Sequence, residues 1–268
     1  MTVMFAKPVA WMILVGTLGA PAMADAQEQS FGSVGLGFVV APEYLGADEA
    51  EISPVVTGEY GWNGRGVSFD GSAAKLDLLG DTDRWTFAAG PLVGFRHGRD
   101  DVEDRAVRAL GDIDTAVEVG AFFRVDRLGV LSDTDSLGLA VDYRADVSDA
   151  HEGSVGTVSV LYGFMPTEDM AVEVEAGLTF GSGAYMDTYF GVSPAGAATS
   201  GLARFDADGG LQSIPLSVSA SYAVTEHWHI LGFAGLEQLV GDAADSPIVK
   251  DRGQASQASG GLAIVYAF

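Results

Sequence analysis

Apolar and polar side chains alternate with a period of two along most of the chain. In residues 116–126, Val117, Val119, Ala121, Phe123 and Val125 share one face. Glu118, Gly120, Phe122, Arg124 and Asp126 share the other. Residues 137–147 repeat the pattern: Leu137, Leu139, Val141, Tyr143 and Val147 stand against Gly138, Ala140, Asp142, Arg144 and Asp146. In 170–180, Val172, Val174, Leu178 and Phe180 oppose Glu173, Glu175 and Thr179. In 214–224, Leu216, Val218 and Tyr222 oppose Ser217, Ser219 and Ser221. Period-two alternation predicts strands with two unlike faces. Soluble sandwiches alternate too, so two further features decide. These runs are about eleven residues long, the ~9–11 that cross a bilayer at a tilt, whereas globular strands centre near 5–6. The apolar faces also carry no charge, while Asp, Glu and Arg gather on the polar ones. Lipid outside and polar packing inside produce this distribution, and only a closed sheet leaves no unpaired backbone in hydrocarbon.

Eleven runs can be marked, at about 30–41, 53–62, 65–78, 84–96, 115–127, 135–148, 154–165, 169–181, 210–224, 227–239 and 257–268. Short turns at Asn63-Gly64, 127–130, 166–168 and Thr225-Glu226 contrast with long connections at 97–114, 182–209 and 240–256. Barrels of the outer membrane keep short turns in the periplasm and long loops outside. With both termini periplasmic the count must be even, and the run at 65–78 is where two short strands can hide. The expected fold is an all-β, transmembrane, antiparallel up-and-down barrel of about twelve strands, with ten as the alternative. Trp62, Trp85, Trp228 and Phe268, with Phe31 and Phe164, fall at strand ends on the short-turn side, as interfacial aromatics do.

Composition narrows the setting. Lys7, the apolar stretch 9–18 and Ala22-Met23-Ala24 read as a secretory signal over 1–24. Residues 25–268 are then expected to form one barrel domain. The 268 residues carry a formal charge of −23 and no cysteine. Strong acidity argues against nucleic acid, and the lack of Cys excludes disulfides, thiolate metal sites and a Cys nucleophile. An exported, acidic, Cys-free chain fits the outer membrane of a Gram-negative cell.

Several segments carry a resemblance. They are Tyr185-Met186-Asp187-Thr188-Tyr189-Phe190-Gly191-Val192, Ser200-Gly201-Leu202 and Asp245-Ser246-Pro247-Ile248-Val249. Weaker ones are Pro42-x-Tyr44-x-Gly46, Gly98-Arg99, Leu110-Gly111-Asp112-Ile113-Asp114 and His151-x-Gly153. On these the chain resembles the MipA/OmpV family of outer-membrane proteins (MltA-interacting protein) over about 31–268. The resemblance implies an outer-membrane barrel. For the namesake it implies a scaffold joining a lytic transglycosylase to a penicillin-binding protein; other members are porin-like. It supplies no catalytic residues.

The candidate lumen residues are Glu118, Arg124, Asp126, Asp142, Arg144, Asp146, Glu173 and Glu175. An acidic lumen favours cations; the favoured expectation is a polar plug in which Arg124 and Arg144 pair with acids. Asp100, Asp101, Glu103 and Asp104 among Arg96, Arg99, Arg105 and Arg108 read as a solvated loop, with lipopolysaccharide or cation contact as the alternative. His227-x-His229 could share a strand face and a metal, but no third ligand is near, so no metal or cofactor is expected. His97 and His151 beside Asp100 and Asp149 raise an enzyme reading; with no nucleophile elbow the expectation is a non-enzyme. The expected function is a scaffold for murein hydrolase and synthase, with a porin-like channel of modest cation preference as the alternative. Expected partners are outer-membrane lipid, the barrel assembly machinery through the last strand, a lytic transglycosylase and a penicillin-binding protein.

Overall fold

The computed structural model describes residues 30–100 and 102–268. The expected signal segment 1–24 and Asp101 lie outside the described residues. Twelve antiparallel strands each pair with their sequence neighbours, and the last closes on the first. They are β1 (Phe31–Pro42), β2 (Ala50–Trp62), β3 (Arg65–Phe69), β4 (Ala73–Asp77), β5 (Trp85–Arg96), β6 (Ala116–Leu128), β7 (Asp135–Asp146), β8 (Ser154–Thr167), β9 (Met170–Gly181), β10 (Gly210–Ala223), β11 (Trp228–Leu239) and β12 (Ser256–Ala267). The run at 65–78 does hold two strands, of five residues each. Closure runs from Ser33↔Ala267 to Val40↔Gly260, so no sheet edge remains along β1 or β12.

The two faces divide as alternation requires. Leu36, Phe38, Leu139, Tyr143, Leu216 and Ile264 are exposed on the outer wall. Ser33, Thr57, Ser159, Ser219 and Ser221 are buried on the inner one. An inside-out distribution of this kind stabilises a chain whose solvent is acyl chain.

Local chemistry sets the turns. Asn63 (φ 48°) and Gly64 (φ 70°) both take left-handed backbone, the type I′ geometry of a two-residue hairpin. Two expected turns are displaced. The one placed at 127–130 is a wider turn at 129–134, because the Asp135 carboxylate accepts hydrogen bonds from the N–H groups of Val130, Leu131 and Ser132. The one placed at 166–168 shifts to 168–169, because β8 continues through Pro166 with an irregularity in register between Phe164 and Thr167.

Aromatic rings two residues apart stack along the short-turn end: Tyr60 on Trp62, Trp85 on Phe87 and Tyr162 on Phe164. Tyr266 joins Trp228 to Phe268 across β11 and β12.

The barrel wall is uneven. β2 pairs with β1 along its length, but with β3 only over Gly58–Trp62. Residues 50–57 therefore have a strand partner on one side alone.

At the opposite end the long connections fold into a cap. Among the described residues they form five short helices: α1 (Arg105–Arg108), α2 (Gly183–Phe190), α3 (Pro194–Ser200), α4 (Gly241–Asp245) and α5 (Pro247–Arg252). Ser182, Ser193 and Ser246 cap α2, α3 and α5 by accepting from the N–H groups of Tyr185, Gly196 and Ile248. Pro194 and Pro247 follow two of these serines, where the missing N–H costs nothing. The cap has its own apolar core. Tyr185, Met186, Tyr189, Phe190, Leu239 and Val249 form one cluster. Tyr44, Val102, Val107, Val192 and Ile248 form the next.

Candidate functional site

The interior charges fall into separate groups. Nearest the short turns, Arg124 donates to Asp126 at 2.7 and 2.8 Å and to Glu173 at 2.7 Å. All three are buried. Thr86 also reaches Asp126, at 3.3 Å. Higher up, Arg144 meets Asp142 at 2.8 Å and Lys75 approaches the same carboxylate at 3.6 Å. Beneath the cap, Glu118 is fully buried and holds both Arg96, at 2.7 Å, and His151, at 3.1 Å. Asp146 takes no part in these groups. It accepts the backbone N–H groups of Ser148, His151 and Glu152 and so shapes the β7–β8 loop. The eight expected lumen residues are thus spread over the height of the barrel rather than gathered in one ring.

Lys75, Arg96 and His151 complete these groups and were not among the expected lumen residues. Lys75 sits on an inward position of the short β4, opposite Ser68. Arg96 is the last residue of β5, and its inward parity follows from Gly94↔Glu118.

Other expectations need correction. His151 is buried against Glu118, Tyr185 and Tyr189 and does not pair with Asp149. His227 precedes β11 and is exposed, with Nδ1 against the Ala267 carbonyl, whereas His229 is buried. The two imidazoles therefore do not share a face. The charged loop joins the cap through some of its residues, while Asp100, Glu103, Arg105 and Arg108 stay exposed. Asp104 caps α1 and pairs with Arg252. Arg108 donates to the Val102 carbonyl at 2.9 Å, and Arg99 to that of Tyr189 at 3.4 Å.

Electrostatics in the cap follow from burial. The Tyr44 and Tyr185 phenols are pushed up to about 12 by desolvation; nearby carboxylates add to this at Tyr44, while Arg96 opposes it at Tyr185. Both phenols stay neutral under physiological conditions, and neither buried hydroxyl has a hydrogen-bond partner among the described residues. The Glu43 carboxyl is raised, first by burial and then by the charges of Glu103 and Glu51, against the Glu103 N–H and Arg108, which lower it. Like charges are crowded at that rim.

Between the cap and Arg124 lies a cavity of about 1110 Å³. Its lining stops at Arg124 on β6 and at Glu175 on β9, so the Arg124–Asp126–Glu173 group forms its floor. Nine carboxylates and four basic side chains line it. Lys75, Arg96, Arg124 and Arg144 are all ion-paired. Of the nine carboxylates, only Asp142 has a basic partner among the described residues. Acids without a basic partner along a cavity wall, four of them (Glu49, Glu51, Asp100 and Glu103) exposed at its rim, attract cations.

A closed twelve-strand cylinder with an apolar outer wall, an ionised lumen and a capped long-loop end is a β-barrel protein of the outer membrane. The chain belongs to the family described as MltA-interacting protein MipA, whose model matches residues 34–268. Among curated relatives it is similar to "Putative outer membrane protein YiaT" of Escherichia coli, 27% identical over 151 residues. That match covers 56% of this chain and 57% of the relative, so the chain spans little more than half the length of the protein it matches. Among solved structures it is similar to the NanC porin, at TM-score 0.45 and 9% identity, over 89% of this chain and 99% of that one. It is also similar to an outer membrane channel from Pseudomonas putida, at TM-score 0.43 and 11% identity, over the whole of both chains.

Proposed function

We propose that this barrel is a cation-accepting vestibule of the outer membrane. The observation that carries this is the ion-pair asymmetry: every Lys and Arg in the cavity wall is ion-paired, and eight of nine acids have no basic partner among the described residues. The floor at Arg124 makes the vestibule a binding chamber in this conformation rather than an open channel. Glu175 and Glu237 are its deep acids. The cap is taken to face outward and the short turns to face the periplasm, following the rule for such barrels. Phe268, outward-facing at the end of the last strand, is the natural signal for the assembly machinery, and the aromatic belt meets lipid.

A second reading is favoured by the family description, which names an interaction with MltA. In it the barrel is a scaffold that docks a lytic transglycosylase, and through it a penicillin-binding protein, on its periplasmic turns. No catalytic role is assigned in either reading.

One experiment has an arm for each. Folded protein in micelles should bind spermidine and not citrate, and Glu175→Gln with Glu237→Gln should weaken binding about a hundredfold, the scale of two lost charge-assisted contacts. Equal binding of cation and anion would remove the vestibule reading. Cross-linking in intact envelopes is the other arm. Capture of a lytic transglycosylase supports the scaffold, and its absence from the cross-linked products removes it.

A further inference from the structure

We propose that the cavity admits its ligand from the side, through a window in the barrel wall between β2 and the segment following β5, and that the ligand is an organic polyamine. This rests on the vestibule reading and adds to it a route and a ligand class.

The window follows from strand lengths. At ~3.3 Å per residue, five-residue β3 and β4 rise roughly 16 Å, about half of a ~30 Å hydrocarbon layer. Their hairpin tip at 70–72 stops against Val55: a Cβ on Gly71 would lie 2.4 Å from Val55 Cγ2. The Ser72 carbonyl accepts from Phe95 N–H and ties the tip to β5. Above the tip, β2 continues from Val55 to Ala50 with no strand on that side. Across the gap stand Arg96, His97, Gly98 and Asp100. The Glu103 N–H donates to the Glu43 carboxylate and bridges the top. Residues from all four sides of this frame line the cavity.

Backbone chemistry supports an aqueous opening there. An unpaired strand edge is tolerated at membrane depth only where it borders protein or water. Pro54 lies in the unpaired stretch and brings no N–H that would need a partner. Ile52, 68% exposed, marks the outer limit of the apolar wall on this strand, and Glu51 follows it. The window therefore opens where acyl chains give way to headgroups. The axial route is filled instead: Tyr185, Phe190 and Ile248 are completely buried in the cap.

The ligand class follows from the spacing of the carboxylates. Glu51, Asp70 and Glu103 mark the rim, and Glu237 and Glu175 lie within. Among the described residues no three acids or histidines converge as a metal site would require. Val39, Val55, Phe122 and Phe233 lie between the charges. Ammonium groups spaced along an apolar chain match that pattern, and a single metal ion does not.

The absence of cysteine makes the test clean. Ser53→Cys places a single thiol on the rim, and Ala198→Cys places one on the exposed side of the cap. Each is coupled to a bulky uncharged maleimide, and spermidine binding is followed on folded protein. Blocking Ser53→Cys should slow association about tenfold, and blocking Ala198→Cys should leave it unchanged. Should Ser53→Cys fail to fold, Ala50→Cys on the same rim takes its place. Unchanged association after blocking the rim overturns the side route. If Glu175→Gln with Glu237→Gln still weakens binding in that case, the vestibule stands and only the route is wrong. If neither change matters, both fail. Magnesium binding that spermidine cannot displace overturns the ligand class.

Discussion

Arg124→Met should cost the barrel about 3–5 kcal/mol, the usual result of removing one partner from a buried ionic group. Methionine fills nearly the same space, so packing changes little. What changes is that Asp126 and Glu173, 5% and 3% exposed, lose the guanidinium between them. Two buried carboxylates are then left facing each other without a counter-charge, with only the Thr86 hydroxyl still near Asp126. The urea midpoint of the folded form in micelles should fall sharply, and less folded protein should survive in unheated detergent gels. Adding Asp126→Asn and Glu173→Gln to the same chain should recover much of the loss. An unchanged midpoint for Arg124→Met would mean that this group does not hold the lower barrel together.

Tyr185→Ala should act on the cap and spare the barrel. The ring is fully buried, 4.8 Å from that of Tyr189 and 5.2 Å from that of His151, with the Arg96 guanidinium over its face at 5.2 Å. Truncating a buried aromatic typically costs about 3–5 kcal/mol. Here the cost falls on helices of five to eight residues, which are too short to stand without tertiary packing. Protease should then cut within 182–209 and 240–255 while the strands still migrate as a compact barrel. Cleavage no faster than in the parent protein would show that the cap does not depend on this ring.

The two substitutions separate parts of the molecule that were unequally legible in the sequence. The wall could be read because alternation is local: every outward Leu and inward Ser announces itself two residues at a time. Asn63-Gly64 fixed one hairpin, and parity exposed β3 and β4 within a run that looked like one strand. Strand limits moved where a side chain overrode propensity, as Asp135 does in the 129–134 turn.

The pairing of interior charges could not be read in that way. Alternation places Glu118, Arg124 and Glu173 inside but says nothing of which meets which. Arg124 reaches Glu173 across 49 positions, and only strand order and shear decide that. Arg96 looked like a loop charge because it ends its strand. The cap was missed for a different reason. Its helices are short and rich in Gly, Ala and Ser, with little helical periodicity, so they read as loop. The available signals were Ser193-Pro194 and Ser246-Pro247, each a capping serine followed by a first-turn proline. The segments that carry the family resemblance coincide with this cap: α2, the end of α3, and α4 with α5. Resemblance therefore lay where the loops interlock, at contacts such as Ser246 Oγ to the Phe190 carbonyl.

Site-specific labelling in whole cells tests the transmembrane arrangement most directly. Ala198→Cys lies in the cap and Glu168→Cys in the two-residue turn at the far end, and the parent chain has no thiol to confuse them. A membrane-impermeant maleimide should label Ala198→Cys on intact cells and reach Glu168→Cys only once the outer membrane is opened. Labelling of both on intact cells, or of Glu168→Cys alone, would contradict a barrel that crosses that membrane with its cap outward.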